Sequence, residues 1–408
     1  MLQVSDLLKT AIDISTGENS EALEETVSNA AATRFRNDLP PVVVWNVNHT
    51  CNMTCPHCYA SAKLKPAYDG VSTEEALKII DKLNRAGIQI IIFSGGEPLM
   101  REDLFELITA ARGYGISCHL SSNGTLITDD TAGKLKELGI TYVGVSIDGL
   151  PEFNDTYRGL KDGYKLAWRG IRAAKEAGLQ TGVRITVTSK NADQVLPLLD
   201  IVSSEGVPRF YVSHLVYGGR GRSYAKNDLD HRAARQSMTA LFNKALELIE
   251  AGNGPSIVTG GNDADGVFLY LFTKKRLGDK AASAIFELLK KRGGNSAGEK
   301  IINIDHKANV HPDQFWQVSN CGNILEEELE EIRSKGLMLE LRQREKLLKG
   351  KCGSCIYKAL CRGSHRERAL AAYGDVWRED PACYLNSEET LGLADEESQV
   401  SALSGAAR

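Results

Sequence analysis

The chain has 408 residues, of which 42% are apolar and 25% charged, and its formal net charge is -4. This is the composition of a folded globular protein with room for one large domain and a smaller one. The charge balance gives no reason to expect nucleic acid or a membrane surface as partner, and no stretch approaches the roughly 18 apolar residues of a membrane helix. The N-terminal segment has early acidic residues and no apolar signal core, so we expect a cytoplasmic protein.

The pattern predicts five consecutive regions. Residues 1–38 are predicted to form an N-terminal helical lead-in, and 39–230 alternate between strand and helix patterns. Residues 231–300 have a helical, charged pattern and are predicted to connect this core to an auxiliary region at 301–390, which opens with a hairpin pattern. Residues 391–408 are acidic, then small and polar, and are predicted to be a flexible tail.

The alternation within 39–230 defines the fold class. The helix pattern at 73–86 begins with a capping box, and apolar, β-branched runs alternate with such helices. This rhythm predicts an α/β protein with a parallel sheet, open or barrel-like, of six strands, fewer than the eight of a full (β/α)8 barrel. The predicted strands are 41–47, 88–96, 116–124, 142–149, 181–188 and 209–219.

The nine cysteines are distributed unevenly. Three lie within 51–58 and four within 352–383, whereas Cys118 and Cys321 stand apart. In a cytoplasmic protein, such clusters indicate metal binding rather than disulfides. Cys118 falls in the middle of a predicted strand and is expected to be a small buried side chain.

The first group has the pattern C-x3-C-x2-C, formed by Cys51, Cys55 and Cys58. Three thiolates on one short loop can hold three irons of a cubane and leave the fourth iron open to another ligand. The alternative is a zinc site that uses Cys55 and Cys58 with His57 or His49.

Further motifs follow this loop in order, namely SGGEP at 94–98, SSNG at 121–124, SIDG at 146–149 and Arg184 in VRITVT. With the cysteine loop, they make residues 40–225 resemble the radical S-adenosylmethionine (SAM) superfamily, whose core is a partial (β/α)6 barrel. The resemblance implies that a [4Fe-4S] cluster on the three cysteines binds SAM, and that one electron cleaves SAM to a 5′-deoxyadenosyl radical that abstracts hydrogen. Read by themselves, SGGEP is a glycine turn before a helix and Arg184 a strand arginine paired to an acid. The implied SAM contacts are Gly95, Gly96, Glu97, Ser122, Asn123, Ser146 and Arg184.

The second group is Cys352-x2-Cys355-x5-Cys361, with Cys383 further along. Four thiolates complete a [4Fe-4S] cubane that has no open iron, and a zinc ribbon is the alternative. Behind a radical SAM core the pattern resembles the SPASM or twitch auxiliary-cluster domain, which implies a second [4Fe-4S] cluster. Cys321 precedes GNI and is a fifth candidate, but the other four already complete a cubane.

A closer resemblance extends over nearly the whole chain, to the NirJ family of heme d1 biosynthesis and the related AhbC family of the alternative heme pathway. It implies an iron tetrapyrrole substrate, 12,18-didecarboxysiroheme, whose peripheral carboxylate side chains are altered, with an external electron donor such as ferredoxin or flavodoxin. We favour the NirJ-like activity, and AhbC-like removal of acetate carboxylates to give Fe-coproporphyrin III is the alternative. The stretches that carry the resemblance are PPVVVWNV, FYVSHLVYGGRGR, TGGNDADGV, NVHPDQFW and DPACYLNSEE.

Such a substrate predicts roles for residues outside the cluster motifs. Arg220 and Arg222 follow the sixth predicted strand, and arginine binds carboxylates in a fork, so we expect them to bind the substrate. His214, His311 and His365 are candidates to bind the substrate iron or to transfer protons, with a structural role as the alternative. Tyr217 and Trp316 are candidates to line the ring, although Trp316 also suits a core. The remaining polar candidates, Asn262, Asp263 and Asp265, also suit a loop cap.

Two other functions compete with this one. A SPASM peptide maturase commonly carries a leader-binding domain of roughly 80 residues ahead of its core, whereas only 38 residues precede the predicted core here. A non-catalytic zinc-ribbon protein would leave the SGGEP and SSNG motifs without a purpose.

Overall fold

The computed structural model describes residues 1–17, 41–64 and 69–393. Its central feature is a mixed sheet of eleven strands within those residues, in the order β1-β8-β7-β6-β5-β4-β3-β2-β9-β10-β11. The strands are β1 (Leu2–Gln3), β2 (Val42–Asn46), β3 (Ile90–Ser94), β4 (Ser117–Ser122), β5 (Ile140–Ser146), β6 (Gln180–Val187), β7 (Arg209–His214), β8 (Ser256–Gly260), β9 (Ile301–Ile304), β10 (Asn309–His311) and β11 (Gly322–Asn323).

Strands β2 to β8 run parallel in chain order, and β9 joins the free side of β2, also in parallel. All six predicted strands are therefore present, as β2 to β7, and the predicted α/β barrel-like class is confirmed. Within the described residues β8 and β9 do not pair with each other, so the barrel stays open between them. The carboxyl ends of the parallel strands share one edge of the sheet, which is where such folds place their sites.

Helices cross between the strands and bury one face each, because their apolar residues recur at helical spacing. In the first of them, Ser72 and Glu75 form the predicted capping box, and Ala76, Ile79, Ile80 and Leu83 face the sheet. The crossover helices are α2 (Thr73–Arg85), α3 (Leu104–Gly113), α4 (Asp129–Glu137), α5 (Pro151–Arg158), α6 (Gly163–Glu176) and α7 (Val195–Ser204), and α1 (Val4–Thr16) precedes them.

The region 231–300 contains a strand that the sequence pattern does not predict. Helix α8 (Arg220–Tyr224) and helix α9 (His231–Glu250) lead to β8, and α10 (Ala264–Leu277) and α11 (Asp279–Arg292) follow it. The strand is only five residues long, and its membership in the sheet comes from pairing with β7 and with the N-terminal β1. Tertiary pairing thus decides the conformation of a segment that is too short for periodicity to reveal.

The region 301–390 begins with the predicted hairpin, β9 and β10, and continues in short helices that hold the second cysteine group. Since β9 pairs with β2, this region shares the sheet of the core. Its limits stay a prediction, and both the lead-in beyond residue 17 and the tail from 394 lie outside the described residues. The short helices are α12 (Leu329–Arg333), α13 (Gly336–Arg342), α14 (Arg344–Leu347), α15 (Gly350–Ser354), α16 (Lys358–Cys361), α17 (Arg366–Tyr373) and α18 (Ser387–Leu391).

In the described part of the chain, no helix combines the length and the apolar character that crossing a membrane would require.

Candidate active site

The loop 51–58 leaves the carboxyl end of β2 and brings its three cysteines together. Cys51 and Cys55 are buried, each 8% exposed, and Cys58 packs against them. All three are free thiols. Burial raises the pKa of Cys51 and raises that of Cys55 to about 12, so a metal must displace the protons of these two thiols to bind.

The glycines of SGGEP hold the start of this loop from the end of β3. The backbone N–H of Gly96 donates to Asn48 O at 3.1 Å, and that of Glu97 to Thr50 O at 2.7 Å. A side chain on Gly96 would place its Cβ 2.1 Å from Thr50 O. Glycine is therefore required here because two backbone segments are in direct contact.

The middle of the loop is held by Arg158, at the end of α5, which the sequence motifs do not single out. Thr54 N donates to Arg158 O at 2.9 Å, and the Arg158 guanidinium lies 3.4 Å from Met53 Sδ. Asp148, the acid of SIDG, pairs with Arg158 at 2.6 Å and accepts from Thr186 N at 2.9 Å, which fixes the arginine to β6. In the sequence, the acid of the SIDG motif, Asp148, is the signal that points to its buried pair with Arg158.

The end of the loop is held by Arg220, at the start of α8. Its backbone N–H donates to Cys58 O at 3.0 Å and its Nε to Cys55 O at 2.9 Å, and a further guanidinium nitrogen donates to Ala62 O. Two of its three guanidinium nitrogens are thus engaged by carbonyls in and just after the cysteine loop, which favours a role in holding the loop; binding of a substrate carboxylate by Arg220 stays a prediction. Arg222, two residues further along α8, is exposed.

Each histidine that a zinc site would need has a partner for one ring nitrogen. Nε2 of His57 lies 3.3 Å from an Asp148 oxygen, and Nε2 of His49 lies 3.0 Å from Ser61 O, whereas Nδ1 of His57 has no partner in the described structure. Three thiols on one loop suit the three-cysteine attachment of a [4Fe-4S] cluster.

Glu97 is the acid of SGGEP, and it joins the end of β3 to the end of β4. Its buried carboxylate accepts from Ser122 Oγ at 2.8 Å, from Asn123 N at 2.7 Å and from Leu99 N at 3.2 Å. Burial raises its pKa to about 7. Both oxygens therefore already have donors, and a direct contact between Glu97 and SAM stays a prediction. Gly95, beside it, has a φ of 143° and packs against Asn48.

The other predicted SAM contacts stand at successive strand ends. Asn123 donates to Asn52 Oδ1 at 2.7 Å and lies 3.8 Å from Cys51 Sγ, so it touches the cysteine loop. Ser146 on β5 is in register with Arg184 on β6. Their roles toward SAM stay predictions, but their location along one edge agrees with them.

Arg184 lies across β5 in space that a glycine provides. One guanidinium nitrogen donates to Gly144 O at 3.0 Å, and a Cβ on Gly144 would lie 2.2 Å from this guanidinium. Its Nε has no hydrogen-bond partner in the described structure. No acid pairs with Arg184 here, which disfavours the structural alternative and leaves a donor for a bound carboxylate.

The second cysteine group lies in one region of the fold, and its role as a ligand set stays a prediction. Lys351, next to Cys352, donates to Cys383 O at 3.4 Å, and Cys361 interacts electrostatically with Cys352 and Cys383. Cys321 is separate: its backbone N–H donates to Val310 O at 2.9 Å, and burial alone raises its pKa to about 11. The geometry thus agrees with the omission of Cys321, and Cys118 is fully buried in β4, as expected.

His214 is buried and paired. It is 3% exposed, and its Nε2 lies 3.0 Å from an oxygen of Asp265, which also accepts from Tyr384 OH at 2.7 Å. This buried triad links β7 to α10 and to the segment after Cys383. The pairing supports the structural alternative, and a catalytic role for His214 stays a prediction.

Most other candidate substrate residues are also engaged in internal contacts. Both ring nitrogens of His311 have partners, Ser319 O at 2.9 Å and Asp305 at 3.3 Å, and Trp316 is 1% exposed, in agreement with a core role. Tyr217 OH donates to Asp228 at 2.9 Å.

The loop-cap interpretation fits the polar residues before α10. The side chain of Asn262 accepts from Ala264 N at 3.1 Å and donates to Ala382 O at 2.9 Å. Asp263 pairs with Arg292 at 3.1 Å.

An open parallel barrel with three cysteine thiols together on the loop after its first core strand is typical of one class, the enzymes that bind SAM at a [4Fe-4S] cluster. The comparison with protein families agrees: residues 45–202 match the model of the radical SAM superfamily, and the chain belongs to that superfamily. It is a radical SAM enzyme.

Its relatives are more specific. The chain is 41% identical over 362 residues to the Fe-coproporphyrin III synthase of Methanosarcina barkeri, which spans 87% of this chain and 90% of the relative. It is 39% identical over 358 residues to the pre-heme d1 synthase of Dinoroseobacter shibae, which spans 87% and 89%. Among solved structures, native anSMEcpe with bound AdoMet matches with a TM-score of 0.67 at 20% identity, over 89% of this chain and 99% of that one, and supports the fold alone.

Replacement of Cys55 by Ala should remove about four irons per chain and abolish reductive SAM cleavage, because the cubane loses one of its three attachment points. The fold should persist, since the loop thiols do not carry the core. Iron and sulfide analysis with assay of 5′-deoxyadenosine measures both effects. Cys118→Ala is the matched control and should keep its iron; normal 5′-deoxyadenosine production by the Cys55 variant would contradict the assignment.

Replacement of Arg220 by Gln should weaken retention of the cluster, because the carbonyls of Cys55 and Ala62 lose their guanidinium donors. The measurement is the rate of iron loss to a chelator under anaerobic conditions, which we expect to rise about tenfold or more, given about 1.5–3 kcal/mol for a charged hydrogen bond. Arg222→Gln is the control from the same helix and should lose iron at the wild-type rate. Equal rates in the two variants would refute the loop-clamping role.

Proposed function

We propose that this radical SAM enzyme modifies the peripheral carboxylate side chains of an iron tetrapyrrole, 12,18-didecarboxysiroheme. The observation that carries the proposal is the pair of relatives, 41% and 39% identical over 87% of the chain, whose names both state a tetrapyrrole product. The activity we favour belongs to heme d1 biosynthesis, and formation of Fe-coproporphyrin III is the alternative. Identities of 41% and 39% do not rank the two.

The contacts between the stretches that resemble the tetrapyrrole families support this proposal. Arg368, on α17, is fully buried, pairs with Asp380 at 2.6 Å and donates to Leu215 O at 3.0 Å and to Gly261 O. His214 and Tyr384 meet on Asp265 in the same layer. Three of the five stretches thus supply contacts between the barrel and the second cysteine group.

The chain's own residues prepare the reaction by positioning. Arg158, Arg220 and Asn123 fix the cysteine loop, and Glu97 fixes the ends of β3 and β4 beside it. We expect Arg184, whose Nε has no partner in the described structure, to donate to the SAM carboxylate. A [4Fe-4S] cluster and SAM held by these residues would supply the radical chemistry that activates a carbon–hydrogen bond of the substrate. The electron comes from an external donor such as ferredoxin or flavodoxin.

We further propose that Cys352, Cys355, Cys361 and Cys383 hold a second [4Fe-4S] cluster. Their mutual electrostatic influence supports one shared site. Cys352 is 8% and Cys383 9% exposed, which suits a cluster that is shielded from water. Because four thiolates leave no open iron, such a cluster serves electron transfer or local structure rather than SAM binding.

Anaerobic incubation with 12,18-didecarboxysiroheme, SAM and reductant, with products identified by mass, tests the proposal. We expect consumption of the tetrapyrrole with loss of side-chain atoms, together with 5′-deoxyadenosine. Loss from propionates supports the heme d1 activity, and loss of acetate carboxylates with Fe-coproporphyrin III as product supports the alternative. A SAM-cleaving preparation that leaves the tetrapyrrole unchanged would refute the function.

Double replacement of Cys352 and Cys355 by Ala should remove about four of about eight irons, and the remaining cluster should still cleave SAM. Turnover of the tetrapyrrole should fail. Iron analysis and the two assays measure these effects. Cys321→Ser is the control and should keep both clusters; loss of four irons from it would show that Cys321 is a ligand.

A further inference from the structure

A buried carboxyl without a partner lies in α17. Glu367 is 1% exposed, and neither of its carboxylate oxygens has a hydrogen-bond partner in the described structure. Burying a carboxyl without compensation is costly, and buried polar groups are nearly always hydrogen-bonded. Such a residue therefore calls for a functional explanation.

The two arginines that flank Glu367 do not neutralise it. Arg366 donates to Val376 O at 3.1 Å and to the carbonyls of Gly363 and Arg378. Arg368 is engaged by Asp380. Both cations on its own helix are thus used elsewhere, and Glu367 depends on groups from other elements.

Two charged groups on those elements influence Glu367 electrostatically, Asp313 after β10 and Arg222 on α8. Burial, and then Asp313, raise the pKa of Glu367 to about 8, against the influence of Arg222. His365 stands 3.6 Å from Asp313, and burial lowers its pKa, so it is neutral near pH 7. Glu367 therefore carries its proton at neutral pH and offers an O–H donor that no described group accepts.

This group of side chains borders the cysteine loop. The ring of Phe315, two residues after Asp313, lies 5.4 Å from that of Tyr59 and 5.6 Å from that of His365. Tyr59 follows Cys58 directly. Arg222 lies two residues beyond Arg220, which bonds to the same loop. The segment that carries Glu367 and the helix that carries Arg222 thus both pack near the cysteine loop.

We propose that Glu367 and Arg222 together form a binding site for one peripheral carboxylate of the tetrapyrrole, in which the neutral Glu367 donates a hydrogen bond and Arg222 supplies the positive charge. This inference rests on the proposed function. An acid that keeps its proton complements a carboxylate, whereas an ionised one repels it. The sequence analysis also predicts that Arg222 binds the substrate. The proposal adds Glu367, which no motif indicated.

The sign of the pH dependence follows directly. Glu367 is protonated below about pH 8, so the hydrogen bond is present there and is lost as the pH rises through that value. We expect the dissociation constant of 12,18-didecarboxysiroheme, measured by absorbance titration of the anaerobic holoenzyme, to increase about tenfold or more from about pH 6.5 to about 9.5.

Glu367→Gln should abolish this pH dependence, because an amide N–H donates at every pH. Glu340→Gln, at an exposed carboxyl of α13, should follow the wild type. Arg222→Gln should weaken binding at low and high pH alike. The same pH dependence in the Glu367→Gln variant as in the wild type would overturn the inference.

Two further results separate the possible failures. A wild-type protein that binds no tetrapyrrole at any pH contradicts the proposed function and not only this site. If the Gln variant does not fold, Glu367→Asp keeps a titrating carboxyl and must keep a falling affinity at high pH. A flat profile in that variant would refute the role of Glu367.

Discussion

The structure depends on how an irregular loop is held from outside. Residues 51–58 contain almost no regular secondary structure, yet three of their thiols must converge. Ordering each such residue costs about 1–2 kcal/mol of conformational entropy. The cost is offset by donors and acceptors that arrive from three distant parts of the chain, the end of β3, the end of α5 and the start of α8. The barrel brings these three parts to one point.

The charges around the loop follow the same logic. Thiolates that bind iron concentrate negative charge in a buried place, where it is poorly screened. Arg158 and Arg220 bring two guanidinium groups to this place, each also hydrogen-bonded to backbone or to Asp148. The same cations that order the loop therefore compensate the charge it will carry. Order and electrostatics are provided by one set of side chains.

The local sequence pattern was sufficient to predict the strands β2 to β7 and the cysteine loop, because consecutive residues determine both. It was not sufficient where a contact with a residue far along the chain determines the role of a side chain. Arg220 and Arg222 look alike in sequence, but only Arg220 meets the loop carbonyls. In the sequence, His214 is of a residue type that is common in catalysis, but in the fold it is buried and paired with Asp265. Arg158, Glu367 and the strand β8 gave no sufficient local signal, since each acquires its role from elements far along the chain.

The fit between Gly144 and Arg184 has an evolutionary consequence. The guanidinium occupies the space where any larger residue at 144 would put its first carbon atom. A side chain at 144 would displace the arginine. Without the arginine, this contact no longer requires glycine at 144. Across related sequences these two positions on adjacent strands should vary as a pair, and a lineage that abandons one should show the other relaxed as well.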